Sequence, residues 1–463
     1  MVFTSAEFLF LFFPLFLLCY LIVPRSWRNG VLLVFSYIFY AWWSPAFTLL
    51  LLALTLLTWV GGLHLHGPYR GWTLSLLIGA NTSVLFWYKY ANLGFQFYAS
   101  YLSWRGHLPP TWERVGLPIG LSFIVLQAIS YLIDVYRGQQ QAERNGWLFA
   151  TYIAMFGQLI AGPILRYEWV QSALLTRTLS VQGMRLGARR FMLGFSMKVL
   201  IADTLSPLVD ALFAVTQPGF FDAWLACLAY SVQLLFDFAG YSAMAIGIGL
   251  MLGFSFPENF RQPYSSRSIQ EFWRRWHISL STWIRDYLYI PLGGSRVAPW
   301  RGYANLIIVM AIGGLWHGSD SLNFLLWGLA HGVAQAVAKF WSRMGLSMPA
   351  TLGHFCTLLF VFLAWVVFRS PDWSTAWTLY RAQLGLSGWQ LSDTTLTVLR
   401  YWHCLALSLG LMLALLPESV VSDIKQPGTL KRIWFYGGPV LLFLLSMGFV
   451  LSRQSVPFLY FQF

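Results

Sequence analysis

Long apolar stretches recur along almost the whole of this 463-residue chain. At 1.5 Å of rise per residue, about 20 helical residues cross the roughly 30 Å hydrocarbon core of a bilayer. The stretches are too long for the alternating strands of a transmembrane β-barrel. The pattern therefore predicts an all-α polytopic membrane protein. The candidate segments are 8–24, 31–60, 73–90, 117–135, 147–164, 187–214, 223–252, 303–338, 354–369, 402–416 and 434–452.

The scarcity of charge supports the same fold class. Charged residues make up only 10% of the chain, whereas about 25% is typical of a soluble domain. No hydrophilic stretch is long enough for a separate soluble domain, so we expect residues 1–463 to form a single membrane domain of about 11 spans. Segments 31–60 and 303–338 are long enough for a helical hairpin, or for a helix followed by a re-entrant piece.

The net charge of +13 could indicate nucleic-acid binding in a soluble protein. In a membrane protein it is better explained by lysines and arginines in cytoplasmic loops, which set the topology. The remaining functional interpretation is an anionic, nucleotide-bearing cofactor at the cytoplasmic face. No Lys or Arg precedes the first apolar run, and Arg25 and Arg28 follow it. The positive-inside rule therefore predicts that the N-terminus lies on the side of the membrane opposite the cytoplasm.

Residues 253–302 are rich in both arginine and aromatic residues, and we name them the basic loop. Ser268 and Glu271 have the spacing of a capping box, which predicts a helix running on to Pro291. On that helix the arginines lie off an apolar stripe, as in a helix at the membrane interface or beside a cavity. A loop that only sets topology is the open alternative. The stripe is Phe272, Trp276, Leu280, Trp283 and Tyr287, and the flanking arginines are Arg274, Arg275 and Arg285.

His277 and His317 are the candidate catalytic residues. His277 lies on the predicted helix of the basic loop, where an ordinary interface helix needs no imidazole. From Tyr303 to His317 the helix is about 21 Å long, short of the hydrocarbon core. His317 is followed by Gly318, so the sequence predicts a broken helix with an ionisable residue at membrane depth, typical of a functional site. An imidazole has a pKa suited to proton transfer near neutral pH.

Other polar residues inside the apolar segments have structural interpretations. Asp237 lies deep in its segment and needs a partner, for which we expect an arginine of the basic loop. His331 follows His317 by four helical turns, so the two could share a face, and we interpret His331 as mainly structural. His64 and His66 lie in a short loop with no acid nearby, so we expect no metal site there.

Several motifs together resemble the membrane-bound O-acyltransferase family, and within it the bacterial branch that acetylates exopolysaccharides. The likeness extends to both ends of the chain. The motifs are Phe254-Ser-Phe-Pro-Glu-Asn-Phe-Arg-Gln-Pro-Tyr264, Glu271-Phe-Trp-Arg-Arg-Trp-His-Ile-Ser-Leu-Ser-Thr-Trp283, Arg285-Asp-Tyr-Leu-Tyr-Ile-Pro-Leu-Gly-Gly294 and Gly313-Gly-Leu-Trp-His-Gly318.

The resemblance implies a ring or funnel of helices, with re-entrant and interfacial pieces, that transfers acetyl groups to hydroxyls of a polymer such as alginate or cellulose. It implies a cytoplasmic thioester donor, most simply acetyl-CoA, no metal, and a periplasmic partner of the SGNH type beside the polysaccharide machinery. His317 then corresponds to the signature base, and His277 to a second site residue. The remaining expected site residues bind the donor (Arg274, Arg275, Arg285, Trp273, Trp276) or line the tunnel (Asp237, Trp316, Asp320, His331).

Two other functions remain open on the sequence. A proton-coupled transporter would also place histidine and aspartate inside the membrane, although no repeated halves with paired broken helices are visible. A lipid acyltransferase of the same family would need a long acyl groove, which periodicity cannot distinguish from a short acetyl tunnel.

Overall fold

The computed structural model describes residues 1–159, 162–318, 321–417, 429–452 and 458–459. These residues form helices joined by loops, with no strand among them, so the predicted all-α class is confirmed. Within them, five helical stretches are long and apolar enough to cross a bilayer. The number of spans, about 11, stays a prediction. The five stretches are Pro45–Leu63, Val181–Phe213, Phe220–Met251, Ala350–Arg369 and Phe435–Ser452.

The chain divides into two compact units, and the first comprises Met1–Phe191 and Met244–Pro257. Its centre is an aromatic group in which Phe156 packs against Phe12, Phe16 and Phe39, with ring centroids 5.0–5.6 Å apart. The helices in this part of the chain are α1 Phe13–Ile22, α2 Arg28–Ala41, α3 Pro45–Leu63, α4 Arg70–Trp104, α5 Leu121–Tyr136, α6 Gly146–Ala154, α7 Phe156–Leu159, α8 Tyr167–Thr176 and α9 Val181–Ser196.

The predicted span 147–164 is not one continuous helix. Helix α6 ends at Ala154, and Met155 has non-helical backbone angles (φ −50°, ψ 108°) before α7 begins at Phe156. The interruption is stabilised because the Ser36 hydroxyl accepts a hydrogen bond from the Phe156 N–H at 3.1 Å. A side-chain acceptor here replaces the backbone acceptor that the break removes.

The second unit comprises Met192–Ala243 and Glu258–Phe463. The helices from α10 onward belong to it, except for residues 244–251 of α11, which belong to the first unit. They are α10 Asp203–Phe213, α11 Phe220–Met251, α12 Ile269–Arg275, α13 Ile278–Ile284, α14 Pro299–His317, α15 Asn323–Arg343, α16 Ala350–Arg369, α17 Trp373–Gln383, α18 Asp393–Val398, α19 Tyr401–Leu415 and α20 Thr429–Ser452. Short π-helical segments lie at Met197–Ala202 and Arg285–Tyr289.

Both of the long apolar segments consist of two helices. Segment 31–60 falls on α2 and α3, and segment 303–338 falls on α14 and α15, as the hairpin alternative predicts. Ser44 begins α3 by accepting a hydrogen bond from the Phe47 N–H, and Pro45 occupies the first helical position.

Helices α14 and α15 approach each other at glycines. A Cβ built on Gly314 would lie 3.0 Å from the Cα of Gly328 and would overlap the Phe324 carbonyl oxygen. A Cβ on Gly332 would lie 2.7 Å from the Cα of Ile307. Gly328 and Gly332, four residues apart on α15, permit this backbone contact with α14, and small residues at that spacing are a common way for helices to associate in a bilayer.

Candidate active site

The helix predicted from Ser268 to Pro291 is interrupted at His277. Helix α12 ends at Arg275, and His277 has φ +43° and ψ 55° before α13 begins at Ile278. The prediction of one continuous helix is therefore wrong. Left-handed angles disfavour a residue with a Cβ, although histidine adopts them more often than most. Surrounding contacts must therefore stabilise this turn.

Asn259 supplies those contacts. Its carbonyl oxygen accepts from the Ile278 N–H at 3.0 Å. Its side-chain oxygen accepts from the N–H and the hydroxyl of Ser279, at 3.2 and 2.9 Å. Asn259 lies in the motif that runs from Phe254 to Tyr264, but the sequence did not predict that it stabilises the turn at His277. The signal was absent because helical periodicity carries no information about bonds from a distant loop.

The start of the predicted helix is confirmed in part. The Ser268 hydroxyl accepts from the Glu271 N–H at 3.2 Å, as an N-cap does. The Glu271 carboxylate accepts from the Arg267 N–H at 2.8 Å, one residue before the group that a capping box uses. The apolar stripe is buried, even though the helix breaks within it; its members are Phe272, Trp276, Leu280, Trp283 and Tyr287.

The break brings His277 beside His317. Their ring centroids are 6.3 Å apart, and both side chains are buried. His277 also lies 4.6 Å from Phe238 of α11 and 6.1 Å from Trp316. His317 lies 5.3 Å from Trp327 of α15. We name the group of His277, His317, Phe238, Phe260, Trp316, Trp327 and Phe368 the histidine cluster.

His317 is the last residue of α14, so the predicted helix end at Gly318 is confirmed. The predicted start was wrong, because α14 begins at Pro299 rather than Tyr303. Its 19 residues span about 28 Å, close to the thickness of the hydrocarbon core. The end position of His317 therefore comes from the chain break and not from an unusually short helix.

His331 does not share a helical face with His317. It lies on α15, a separate helix, with its ring 4.8 Å from that of Trp327. Trp273 of α12 donates its indole N–H to Nδ1 of His331 at 3.2 Å. Trp327 thus has both histidine rings as neighbours.

The three arginines of the predicted donor site have different surroundings. Arg275 forms an ion pair with Glu271 at 2.8 Å, and Arg285 pairs with Asp286 at 2.6 Å. The hydrogen bond to Asp286 raises the pKa of the Arg285 guanidinium, which stays charged. Arg274 is exposed, and no carboxylate of the described residues lies within ion-pair distance of it. Trp273 and Trp276, by contrast, are buried.

Asp237 is paired with a lysine, so the expected arginine partner was wrong. Lys198 lies 2.5 Å from Asp237 and 2.6 Å from Asp203. The second oxygen of Asp237 accepts from the Leu459 N–H at 3.0 Å. We name Lys198, Asp203 and Asp237 the ion cluster. Lys198 precedes Asp237 by more than a helix length in sequence, so spacing alone does not predict this pair.

Phe458 packs beside the same part of α11. Its ring lies 4.6 Å from that of Tyr241 and 5.7 Å from that of Phe238. Phe238 in turn contacts His277. The predicted tunnel residue Asp320 lies outside the described residues, whereas Trp316 lies directly against His317, with ring centroids 4.9 Å apart.

Comparisons with known proteins decide the family. The sequence model of the membrane-bound O-acyltransferase family matches residues 147–371. A probable alginate O-acetylase AlgI of Pseudomonas putida is 42% identical over the full length of both chains. Its counterpart in Azotobacter vinelandii is 46% identical over 85% of this chain and 80% of that protein. The chain belongs to the membrane-bound O-acyltransferase family.

The membrane-bound O-acyltransferases related to this chain include a further acetylating enzyme. A peptidoglycan O-acetyltransferase of Helicobacter pylori is 34% identical over 84% of this chain and 80% of that protein. The family membership and these relatives identify the chain as a membrane enzyme that transfers an acyl group to oxygen.

The candidate site of this O-acyltransferase combines two neighbouring imidazoles with a surround of aromatic rings. Burial lowers the pKa of the His277 imidazole to about 3, so this ring is neutral near pH 7 and can donate or accept a hydrogen bond. Among the residues that the structure describes, no group of three or more histidine, cysteine or acidic side chains could hold a metal ion.

Proposed function

We propose that the chain moves an acetyl group from a cytoplasmic thioester, most simply acetyl-CoA, across the inner membrane to hydroxyls of an exopolysaccharide. Alginate and cellulose are candidate acceptors. The acetyl group reaches the polymer directly or through a periplasmic partner of the SGNH type. The observation that carries the proposal is the pairing of His277 and His317, which come from separate elements and lie with ring centroids 6.3 Å apart.

In the proposed reaction, His317 takes the proton of an acceptor hydroxyl, and that oxygen forms a bond to the thioester carbonyl carbon. The carbonyl oxygen becomes an oxyanion, beside which His277 is placed to donate a hydrogen bond. The carbon–sulfur bond then breaks, and the thiolate leaves with the proton that His317 had taken. An ester and a free thiol result, and the imidazole is neutral again.

The donor's anionic groups are proposed to bind Arg274, Arg275 and Arg285. Arg274 is exposed and available, whereas Arg275 and Arg285 already face Glu271 and Asp286. Binding of phosphates at the latter two would exchange one anion for another. The buried rings of Trp273 and Trp276 would then line the way inward from the arginines.

The test uses membrane vesicles, a donor labelled in its acetyl group, and a polysaccharide-producing background. We expect the label to appear as alkali-labile ester in the polymer or the periplasmic partner, with one thiol released per acetyl transferred. Label found only in extracted lipid would favour a lipid acyltransferase instead. Proton-coupled uptake of a solute without thiol release would favour a transporter.

The proposed donor side has its own test. Reporter fusions after Arg28 and after Arg296 should both give a cytoplasmic signal if the N-terminus is periplasmic and the basic loop faces the cytoplasm. A periplasmic signal after Arg296 would overturn the cytoplasmic entry of the donor, whatever the outcome of the acetyl-transfer assay.

A further inference from the structure

The hydrogen bond from Trp273 determines which nitrogen of His331 carries the proton. An indole N–H can only donate, so Nδ1 of His331 must accept the bond at 3.2 Å. A neutral imidazole that accepts at Nδ1 has its proton at Nε2. His331 is thereby held as a hydrogen-bond donor at Nε2.

The N–H groups at Nε2 of His331 and at Nε1 of Trp327 both lack a hydrogen-bond acceptor within the described part of the chain. The two side chains are 0% and 1% exposed, and their rings are 4.8 Å apart. Nearly all buried polar groups in proteins have a partner, so two adjacent orphaned donors call for a physical reason.

The other two indoles around His331, Trp273 and Trp365, both use their N–H groups inside the protein. Trp365 stacks on Trp327 at 5.6 Å and donates its indole N–H to the Tyr264 hydroxyl at 3.1 Å. Tyr264 in turn donates to the Ser231 carbonyl oxygen at 2.7 Å. The packing of tryptophans here therefore does not by itself prevent an N–H from finding an acceptor.

The orphaned donors lie next to His317. The ring of Trp327 is 5.3 Å from that of His317. His317 ends α14 and His331 lies within α15, yet both occupy the same place in a short local sequence pattern. His317 stands in Gly314-Leu-Trp-His-Gly318 and His331 in Gly328-Leu-Ala-His-Gly332, with Gly314 and Gly328 in contact. The contact between the two glycines therefore places the turn of α14 that carries His317 beside the turn of α15 that carries His331.

We propose that Nε2–H of His331 and Nε1–H of Trp327 form a binding site for an uncharged carbonyl oxygen on the thioester arm of the donor. This inference rests on the proposed function. Five aromatic side chains pack around His331: Phe272, Trp273, Trp327, Phe360 and Trp365. A phosphate would lose its hydration there, whereas a carbonyl oxygen needs only the hydrogen bonds that these donors supply.

The experiment measures binding of a non-reactive donor analogue to the purified full-length protein. The probe is the acetonyl thioether of coenzyme A, which keeps a carbonyl but cannot transfer its acyl group. Trp327→Phe and His331→Phe each remove one donor, so we expect each to raise the dissociation constant about three- to tenfold. His331→Gln keeps an acceptor for Trp273 and a donor, so it should bind within about twofold of wild type.

Trp365→Phe is the matched control, because it makes the same truncation at an indole whose N–H is used inside the protein. It should leave probe binding unchanged. The inference is overturned if Trp327→Phe and His331→Phe both bind the probe like wild type, or if Trp365→Phe weakens binding equally. If His331→Phe fails to fold, the pair of Trp327→Phe and Trp365→Phe decides. Failure of the proposed function is distinguishable, since the wild type itself would then not bind the probe.

Discussion

The ion cluster and the histidine cluster both use α11 and are largely buried, with Asp203 half-buried, yet they are built differently. Asp237 faces Lys198, and the next residue, Phe238, faces His277. In the ion cluster every charge has a counter-charge within 2.6 Å. In the histidine cluster the rings around His277 and His317 are aromatic.

The difference separates structural from chemical roles. Compensated charges in a low-dielectric interior are held tightly and are costly to break, which suits a structural tie. Neutral imidazoles among aromatic rings can donate and accept hydrogen bonds, which suits contact with a substrate. If the proposed function is correct, two adjacent residues of α11 contribute to two different tasks, and substitutions in the two clusters should affect different measurements.

The largest expected effect is on activity, at His317. His317→Gln keeps a polar side chain of similar reach but cannot take a proton near neutral pH, so acetyl transfer should fall about 10²–10⁴-fold. The protein should still insert and accumulate. Acetyl ester content of the polymer is the measurement, and His66→Gln is the control, since His66 is an exposed histidine outside the site. Ester content near the wild-type level in His317→Gln would remove His317 from catalysis and direct attention to His277.

The next effect is on stability, at Lys198. Lys198→Met leaves two carboxylates facing each other without their cation, which should cost about 3–5 kcal/mol. We expect a lower thermal midpoint in detergent and less accumulated protein, with near-normal activity per folded molecule. Lys339→Met is the control, because Lys339 is half-buried and hydrogen-bonds to the Tyr289 hydroxyl. Normal stability together with lost activity in Lys198→Met would mean that the ion cluster takes part in the reaction.

The smallest effect is on donor use, at the arginines. Arg274→Ala should raise the KM for the thioester about three- to tenfold, because an exposed charge is worth little in water. Arg285→Ala should have a smaller effect, since its charge is already opposed by Asp286. The measurement is the donor KM at low and at 0.5 M salt, where screening should bring wild type and variants together. Unchanged KM in Arg274→Ala, Arg275→Ala and Arg285→Ala would leave the basic loop as a topology determinant only.

The sequence predicted what depends on local pattern. Apolar length gave the all-α membrane class, and a helix end at a glycine identified the position of His317. The break at His277 was not predictable, because the apolar spacing continues through it and Asn259 stabilises it from another segment. The pair Lys198–Asp237 and the bond from Leu459 to Asp237 likewise join residues that only the tertiary fold brings together.

The contact between Gly314 and Gly328 makes the position of His317 depend on backbone spacing. Backbone atoms have no alternative rotamers, so an added methyl group cannot be absorbed as it would be among leucines. A carbon added at either glycine would overlap a backbone carbonyl oxygen of the facing helix, so α14 and α15 would have to move apart beside His317. Alanine, serine and valine at Gly328 would form a graded series of wedges, and the rate of acetyl transfer along it would report how precisely the base must be placed.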